Sequence, residues 1–172
     1  MIIMTKKFTL RPFKKSDAKS IAKYVNDKTI YDNTLHIPYP YKLKDAREWM
    51  DRTMPEYNKR KPSKFHLGIE IKGEIVGCVS LMELQGGHKA ELGYWLARKY
   101  WRKGIMSEAV AEMCEVGFKK FDLKRIYAYT FLHNKGSQGV LKKNGFKKEG
   151  MLKKNILKDG KYIDEYLFAK VI

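Results

Sequence analysis

Cysteine is scarce in this sequence: there are two among 172 residues, Cys78 and Cys114. Each sits in an apolar run, Ile75-Val76-Gly77-Cys78-Val79 and Ala111-Glu112-Met113-Cys114, as a small buried hydrophobe does. Neither has the spacing of a metal site or a redox pair, so the chain reads as reduced and cytoplasmic. Long apolar runs are lacking, and Met1-Ile2-Ile3-Met4-Thr5-Lys6 has no export-signal pattern, so neither membrane insertion nor secretion is indicated. The four histidines, His36, His66, His88 and His133, are not spaced as metal ligands, and no metal is expected. Neither G-x-G-x-x-G nor G-K-[ST] occurs, so the Rossmann and P-loop patterns are absent. No repeat, low-complexity segment or linker breaks the chain, which reads as one domain over residues 1–172.

Acidic residues are also few beside basic ones: 19 Asp and Glu against 36 Lys and Arg, a net charge of +17. Such a field draws in anions at long range, whether nucleic acid, a ribosome, an acidic protein or a polyphosphorylated cofactor. The bland alternative is a solvated lysine-rich surface, since lysine is scattered along the whole chain. No helix-turn-helix, zinc-knuckle or RNP signature accompanies the charge. Hydrophobic residues make up 44% and aromatics 13%, which excludes a disordered chain and suffices for an ordinary core.

Periodicity sets the order of elements. Phe8–Phe13 alternates as a half-buried strand, pushed toward an edge by Pro12. Ser16 or Asp17 can cap a helix running to about Val25. Asp32–Tyr41, with two prolines, reads as a loop. A helix over Lys44–Asn58 places Ala46, Trp49, Met50 and Thr53 on one face. Phe65–Ile71 and Glu74–Leu84 form a hairpin across Lys72-Gly73, and Gln85-Gly86-Gly87 breaks the chain before a strand at Lys89–Leu96. Gly104 to about Phe121 is an amphipathic helix through Met106, Ala109, Val110, Met113 and Gly117. A strand at Arg125–Leu132 and a short helix at Lys135–Lys143, ended by Asn144-Gly145, follow. Phe146–Leu157 and Tyr162–Lys170 close the chain as a hairpin. The plan is mixed α/β around one central sheet.

The segment Glu91-Leu92-Gly93-Tyr94-Trp95-Leu96-Ala97-Arg98-Lys99-Tyr100-Trp101-Arg102-Lys103-Gly104-Ile105-Met106-Ser107-Glu108-Ala109 carries the most chemistry. A strand ends, a basic loop with Gly104 follows, and a helix begins at once. Backbone N–H groups at a helix start lack intrahelical partners and sit at the positive end of its dipole. That combination suits a pyrophosphate. A second segment, Asn134 to Phe146, follows the next strand and contains Asn134, Ser137, Lys143 and Gly145-Phe146, with Glu149-Gly150 just beyond.

Together the two segments resemble the GNAT N-acetyltransferase superfamily, nearest the RimJ/RimL branch that acetylates N-termini of ribosomal proteins. The resemblance rests on Gly93-Tyr94-Trp95-Leu96, Tyr100-Trp101, Lys103-Gly104, Ser107-Glu108-Ala109 and the second segment. It covers almost the whole chain. The phosphate loop departs from the superfamily's pattern at its ends, where Trp101 and Met106 stand. The resemblance implies a central twisted sheet of about six to seven strands flanked by about four helices. It implies acetyl-CoA as acyl donor, with no metal. The backbone of Trp95, Leu96 and Ala97 is expected along the pantetheine arm. The amides of Arg102, Lys103, Gly104, Ile105, Met106 and Ser107 are expected on the pyrophosphate. Asn134 and Ser137 are expected beside the arm, and Lys143 near the adenosine end.

Transfer by direct attack needs a base for the ammonium, an oxyanion donor and an acid for the thiolate. The candidates are Glu91 as base, Ser137 as the hydroxyl near the thiolate, and a backbone amide of Trp95 or Leu96 as oxyanion donor. The Asp32–Tyr41 loop and the last hairpin are expected to wall the acceptor site, with Asp32, Asn33, Tyr39 and Tyr41 gripping the amine. Three functions stay open at this level. One is an N-terminal acetyltransferase docking a ribosome or RNA through its basic surface. The others are a small-molecule amine, antibiotic or amino-acid acetyltransferase, and a non-catalytic nucleic-acid binder with the same fold. Monomer and homodimer are equally open.

Overall fold

A computed structural model describes all 172 residues. Eight strands form one sheet: β1 (Ile3–Met4), β2 (Thr9–Arg11), β3 (Phe65–Ile71), β4 (Glu74–Gln85), β5 (Lys89–Leu96), β6 (Arg125–Phe131), β7 (Lys147–Lys158) and β8 (Lys161–Val171). Their spatial order is β1-β2-β3-β4-β5-β6-β8-β7. The α-helices are α1 (Ala18–Val25), α2 (Lys28–Asp32), α3 (Leu43–Thr53), α4 (Ile105–Lys120) and α5 (Lys135–Lys143). All neighbouring strands are antiparallel except β5 and β6, so the sheet is mixed.

The sheet is one strand larger than the sequence implies and the helical set one helix larger. β1 has only two residues, paired as Ile3↔Leu10 and Met4↔Thr9, too few to carry a readable period. The five residues of α2 are likewise below a 3.6-residue pattern's reach, and the helix starts where the Asp27 side chain accepts from Thr29 N–H at 2.8 Å. The expected Lys44–Asn58 helix splits. α3 stops at Thr53, and Pro55, which has no N–H to donate, tightens Met54–Asn58 into a 3-10 turn.

Alternation along the strands sorts the residues onto two faces. Leu67, Ile69, Val79, Leu81, Leu92 and Ile126 meet Ile105, Ala109, Val110 and Met113 of α4 and Leu141 of α5 in the larger core. A smaller cluster on the other face joins Phe13, Ile21, Val25, Tyr41, Ala46, Met50 and Cys78 beneath α1 and α3. Arg11 anchors that layer. Its buried guanidinium donates to both Asp17 carboxylate oxygens, at 2.8 and 2.9 Å, and its Nε to Glu70. The outer strand β7 carries Lys147, Lys148, Lys153, Lys154 and Lys158, the charged edge that discourages pairing with a further strand.

The topology creates an opening. β5 and β6 pair only through Lys89↔Arg125, Ala90↔Ile126 and Glu91↔Tyr127. Beyond Glu91, β5 stays with β4 as far as Leu96, while β6 continues with β8 to Phe131. The two parallel strands therefore part after residue 91, leaving a slot floored by both cores.

Candidate active site

The loop between β5 and α4 is shaped as an anion cradle. Arg102 and Gly104 both have positive φ, 59° and 74°, and this turns the chain so that α4 starts immediately at Ile105. The first bond into the helix runs from Glu108 N–H to Gly104 O at 3.1 Å. The amides of Arg102 to Ser107 donate to no group of the chain, and no side chain caps the helix. Six consecutive N–H groups at a positive dipole end fit a pyrophosphate. Met106 does not obstruct them: its side chain is 7% exposed and packs in the larger core. Lys7 joins the loop from the β1–β2 turn. Its Nζ lies 3.3 Å from Glu108 and 3.4 Å from where a Gly104 Cβ would stand. Nothing in the sequence spacing indicates this approach.

The slot between β5 and β6 runs on from the cradle. Trp95, Leu96 and Ala97 line its β5 side, and Trp101 Nε1–H donates to Leu96 O at 2.7 Å, tying the loop to the strand. Asn134 caps α5, its Oδ1 accepting from Ser137 N–H at 3.0 Å. Asn144 Nδ2 donates to Ser107 O at 3.1 Å and to Ser107 Oγ at 3.2 Å, locking the end of α5 to the start of α4. Lys143, next to Asn144 and exposed, therefore sits beside the cradle. A slot flanked by an unpaired strand edge and leading to free amides fits a phosphopantetheine chain.

Where the strands part, the chemistry-bearing side chains converge. Glu91 faces a cavity of about 680 Å³. Burial, then the nearby Glu83 and Glu165 carboxylates, push its carboxyl up to about 7. Glu83 accepts from Tyr127 Oη at 2.6 Å, and Glu165, 5% exposed, accepts from Asn155 Nδ2 at 2.8 Å. On the other side of β5, Tyr94 Oη lies 2.8 Å from Ser137 Oγ and 3.3 Å from Ser137 O. Burial holds the Tyr94 phenol far above its usual range, so this pair stays protonated at neutral pH. The phenol beside Ser137 of α5 thus comes from β5.

The cavity lies between the sheet and the α1–α3 layer. Asn33 and Tyr41 of the Asp32–Tyr41 segment line it, together with Asn155, Ile156 and Glu165 of the last hairpin. Asp32 and Tyr39 stand outside the lining. Asp32 is drawn into an ion pair with Lys28 one turn earlier, and Tyr39 is exposed against the Tyr31 ring, with centroids 5.9 Å apart. Lys158 in the β7–β8 tip donates to the carbonyls of Tyr31 and Thr34 and lies 4.0 Å over the Tyr31 ring, fastening the hairpin to α2. α3 contributes Asp45, Glu48, Trp49 and Arg52 to the wall. Sequence patterning places this helix's apolar face in the core and gives no sign of these. The lining thus holds four carboxylates, Asp45, Glu48, Glu91 and Glu165, against one guanidinium, Arg52. In a chain of net charge +17, the cavity is acidic.

Comparison with known proteins agrees with this geometry. A family model described as "Acetyltransferase (GNAT) domain" matches residues 7–147. The chain is 29% identical over 170 residues to the "Uncharacterized N-acetyltransferase YnaD" of Bacillus subtilis, covering 98% of this chain and 96% of that protein. It is 30% identical over 145 residues to the "L-amino acid N-acetyltransferase AaaT" of Escherichia coli, covering 83% and 84%. The crystal structure of a ribosomal-protein-S5-alanine acetyltransferase from Vibrio fischeri superposes with a TM-score of 0.89 at 26% identity, covering 99% and 96%.

Proposed function

The chain belongs to the GNAT acetyltransferase family, and from that premise we propose that it moves an acetyl group from acetyl-CoA to the α-amine of a polypeptide N-terminus. The observation that carries the reading is Glu91. It is a carboxyl near 7, at the mouth of the β5–β6 slot, facing an acidic cavity large enough for a chain end. The family resemblance to a ribosomal-protein-S5-alanine acetyltransferase favours a protein acceptor.

Acetyl-CoA supplies an acetyl thioester to the site. The cradle of Arg102 to Ser107 amides, with Lys7 and Lys103 nearby, holds its pyrophosphate, and Trp95 to Ala97 hold the arm along β5. The acceptor arrives as an ammonium, and Asp45, Glu48 and Glu165 favour that charge over an anion. Glu91 takes the proton that the amine must lose before it can attack, and a carboxyl near 7 does this at neutral pH. Ser137 Oγ, held by Tyr94, keeps a proton available on the opposite side of β5 for the departing sulfur. The lysine-rich β7 edge and outer surface steer the enzyme toward acceptors embedded in anionic assemblies such as ribosomal RNA.

A second reading, acetylation of free amino acids, follows from the likeness to the amino-acid enzyme. The lining opposes it, because an α-carboxylate next to the reacting nitrogen must sit among Glu91, Glu83 and Glu165. The test is thiol release from acetyl-CoA with peptide amides, peptides blocked at the α-amine, and free amino acids. We expect turnover with free α-amine peptides alone. Faster turnover of free amino acids than of any peptide overturns the proposal.

A further inference from the structure

Tyr127, Tyr129 and Phe131 stand in a row on one face of β6, at alternate positions of the strand. Cations of the chain cover the outer two. Lys89 Nζ lies 5.8 Å and Arg125 Cζ 5.9 Å from the Tyr127 ring centre, and Lys158 Nζ lies 5.6 Å from that of Phe131. Over the middle ring, Tyr129, no side-chain cation lies. Tyr129 lines the cavity and is 36% exposed, where its two neighbours in the row are buried. The Tyr127 ring stands 5.8 Å from it at 78°, which fixes its attitude and covers at most one of its faces.

Strand register places this ring relative to Glu91. Glu91 is the last residue of β5 paired with β6, and its partner is Tyr127. Parallel partners point the same way, so Tyr129, two residues on, stands diagonally from Glu91 on the same face. One strand spacing across and two residues along amount to about 8 Å between backbones, a diagonal that aromatic side chains bridge. Past Tyr127, β6 has no paired neighbour on the β5 side, so Tyr129 stands on the lip of the slot. Glu165, partner of Phe131 on β8, flanks it from the other side. Burial, then the Glu91, Glu165 and Glu83 carboxylates, hold the Tyr129 phenol above its usual range, so the ring stays neutral among them.

The face of an aromatic ring is negative, and a cation within about 6 Å of its centre is held there. Carboxylates on either side add to that hold. We propose that Tyr129 seats the acceptor's ammonium, with the ring as platform and Glu91 and Glu165 as counter-charges. This rests on the proposed acetylation of polypeptide N-termini and extends it: one residue reads the acceptor's charge and another takes its proton. The seat asks for positive charge and not for an N–H. A peptide trimethylated at its α-nitrogen keeps the charge and has no proton to lose, so it binds without turning over. An α-acetylated peptide has no charge and leaves the seat empty.

The test uses one six-residue peptide amide in three forms, with the α-nitrogen free, trimethylated or acetylated, on wild type, Tyr129→Phe and Tyr129→Leu. Calorimetry with acetyl-CoA first shows that each variant is folded. Steady-state thiol release then gives kcat and KM for the free peptide and inhibition constants for the other two. On wild type the trimethylated form should compete with the free peptide, and the acetylated form should inhibit far more weakly. Tyr129→Leu should raise both the free-peptide KM and the trimethyl inhibition constant about 2- to 30-fold, with the loss in KM rather than kcat. Tyr129→Phe, which keeps the ring, should stay close to wild type. The inference is overturned by a trimethylated peptide that binds no better than the acetylated one, by a Tyr129→Leu variant that binds both cations as wild type does, or by a Tyr129→Phe loss as large as that of Tyr129→Leu. Each of these leaves N-terminal acetylation standing. Turnover of small amines with none of any peptide overturns the peptide reading instead, and the KM of Tyr129→Leu for that amine then decides the seat by itself.

Discussion

A carboxyl pushed up to about 7 makes the proposed reaction pH-dependent in one direction. With Glu91 as the proposed base, only its ionised form can accept the proton, so kcat/KM should rise with pH through about 7. Glu91→Gln should remove that limb and lower kcat about 10²- to 10⁴-fold, measured in steady state over pH. The same shift affects stability with the opposite sense. The folded-state pKa is raised above the ordinary 4.5, so the folded chain binds more protons than the unfolded one between 4.5 and about 7, and stability falls as pH rises through that window. Glu91→Gln should therefore melt higher than wild type at about pH 8 and equal to it below about pH 4. Across β5, Ser137→Ala should lower kcat about 10-fold with little change in acetyl-CoA KM, and Tyr94→Phe should do the same to a smaller degree. Glu91 and Ser137 stand out in the sequence as candidates because each adjoins a recognisable segment. Their partners are not. Glu83 lies across a bulge in β4, Glu165 comes from the far end of the chain, and Tyr94, though part of the Gly93–Leu96 motif, gives no sign in the sequence of its contact with Ser137.

Among elements, the β5–loop–α4 unit is the one whose local sequence states its shape. A glycine before an amphipathic run predicts an abrupt helix start, and φ of 74° at Gly104 is what makes it abrupt. Gly104→Ala should cost about 1–2 kcal/mol through the left-handed backbone and weaken free CoA binding in calorimetry. Lys7→Ala should weaken it a few-fold, more at low salt than at high, since the lysine acts through charge. The α1 layer depends on a different device. Arg11→Ala leaves Asp17 buried and unpaired, and the melting temperature should drop by the equivalent of about 3–5 kcal/mol. Short elements escaped the sequence pattern for a physical reason. β1 and α2 are fixed by pairing with β2 and by the Asp27 cap rather than by a hydrophobic period of their own. The α3 wall escaped it because Asp45, Glu48 and Arg52 read as a solvated helix face until the fold sets them over the sheet.

Across the whole molecule, charge is segregated: acidic within the cavity and basic outside, in a chain of +17. Composition reveals only the sum, because the carboxylates that line the cavity come from α3, β5 and β8. Turnover of a peptide with an acidic tail should therefore fall steeply as salt is raised, while that of a neutral-tailed peptide with the same first residues changes little, measured as kcat/KM against ionic strength. The strand order has a further bearing. β8 pairs with both β6 and β7, so the last strand of the sequence is an interior strand of the sheet. A ribosome emits the chain from its amino end, and every residue before Lys161 emerges without the strand that completes the sheet and brings Glu165 to the cavity. The catalyst is thus silent throughout its own translation. Until β8 is threaded between its neighbours, the nascent protein has neither the completed sheet nor the Glu165 carboxylate at its cavity.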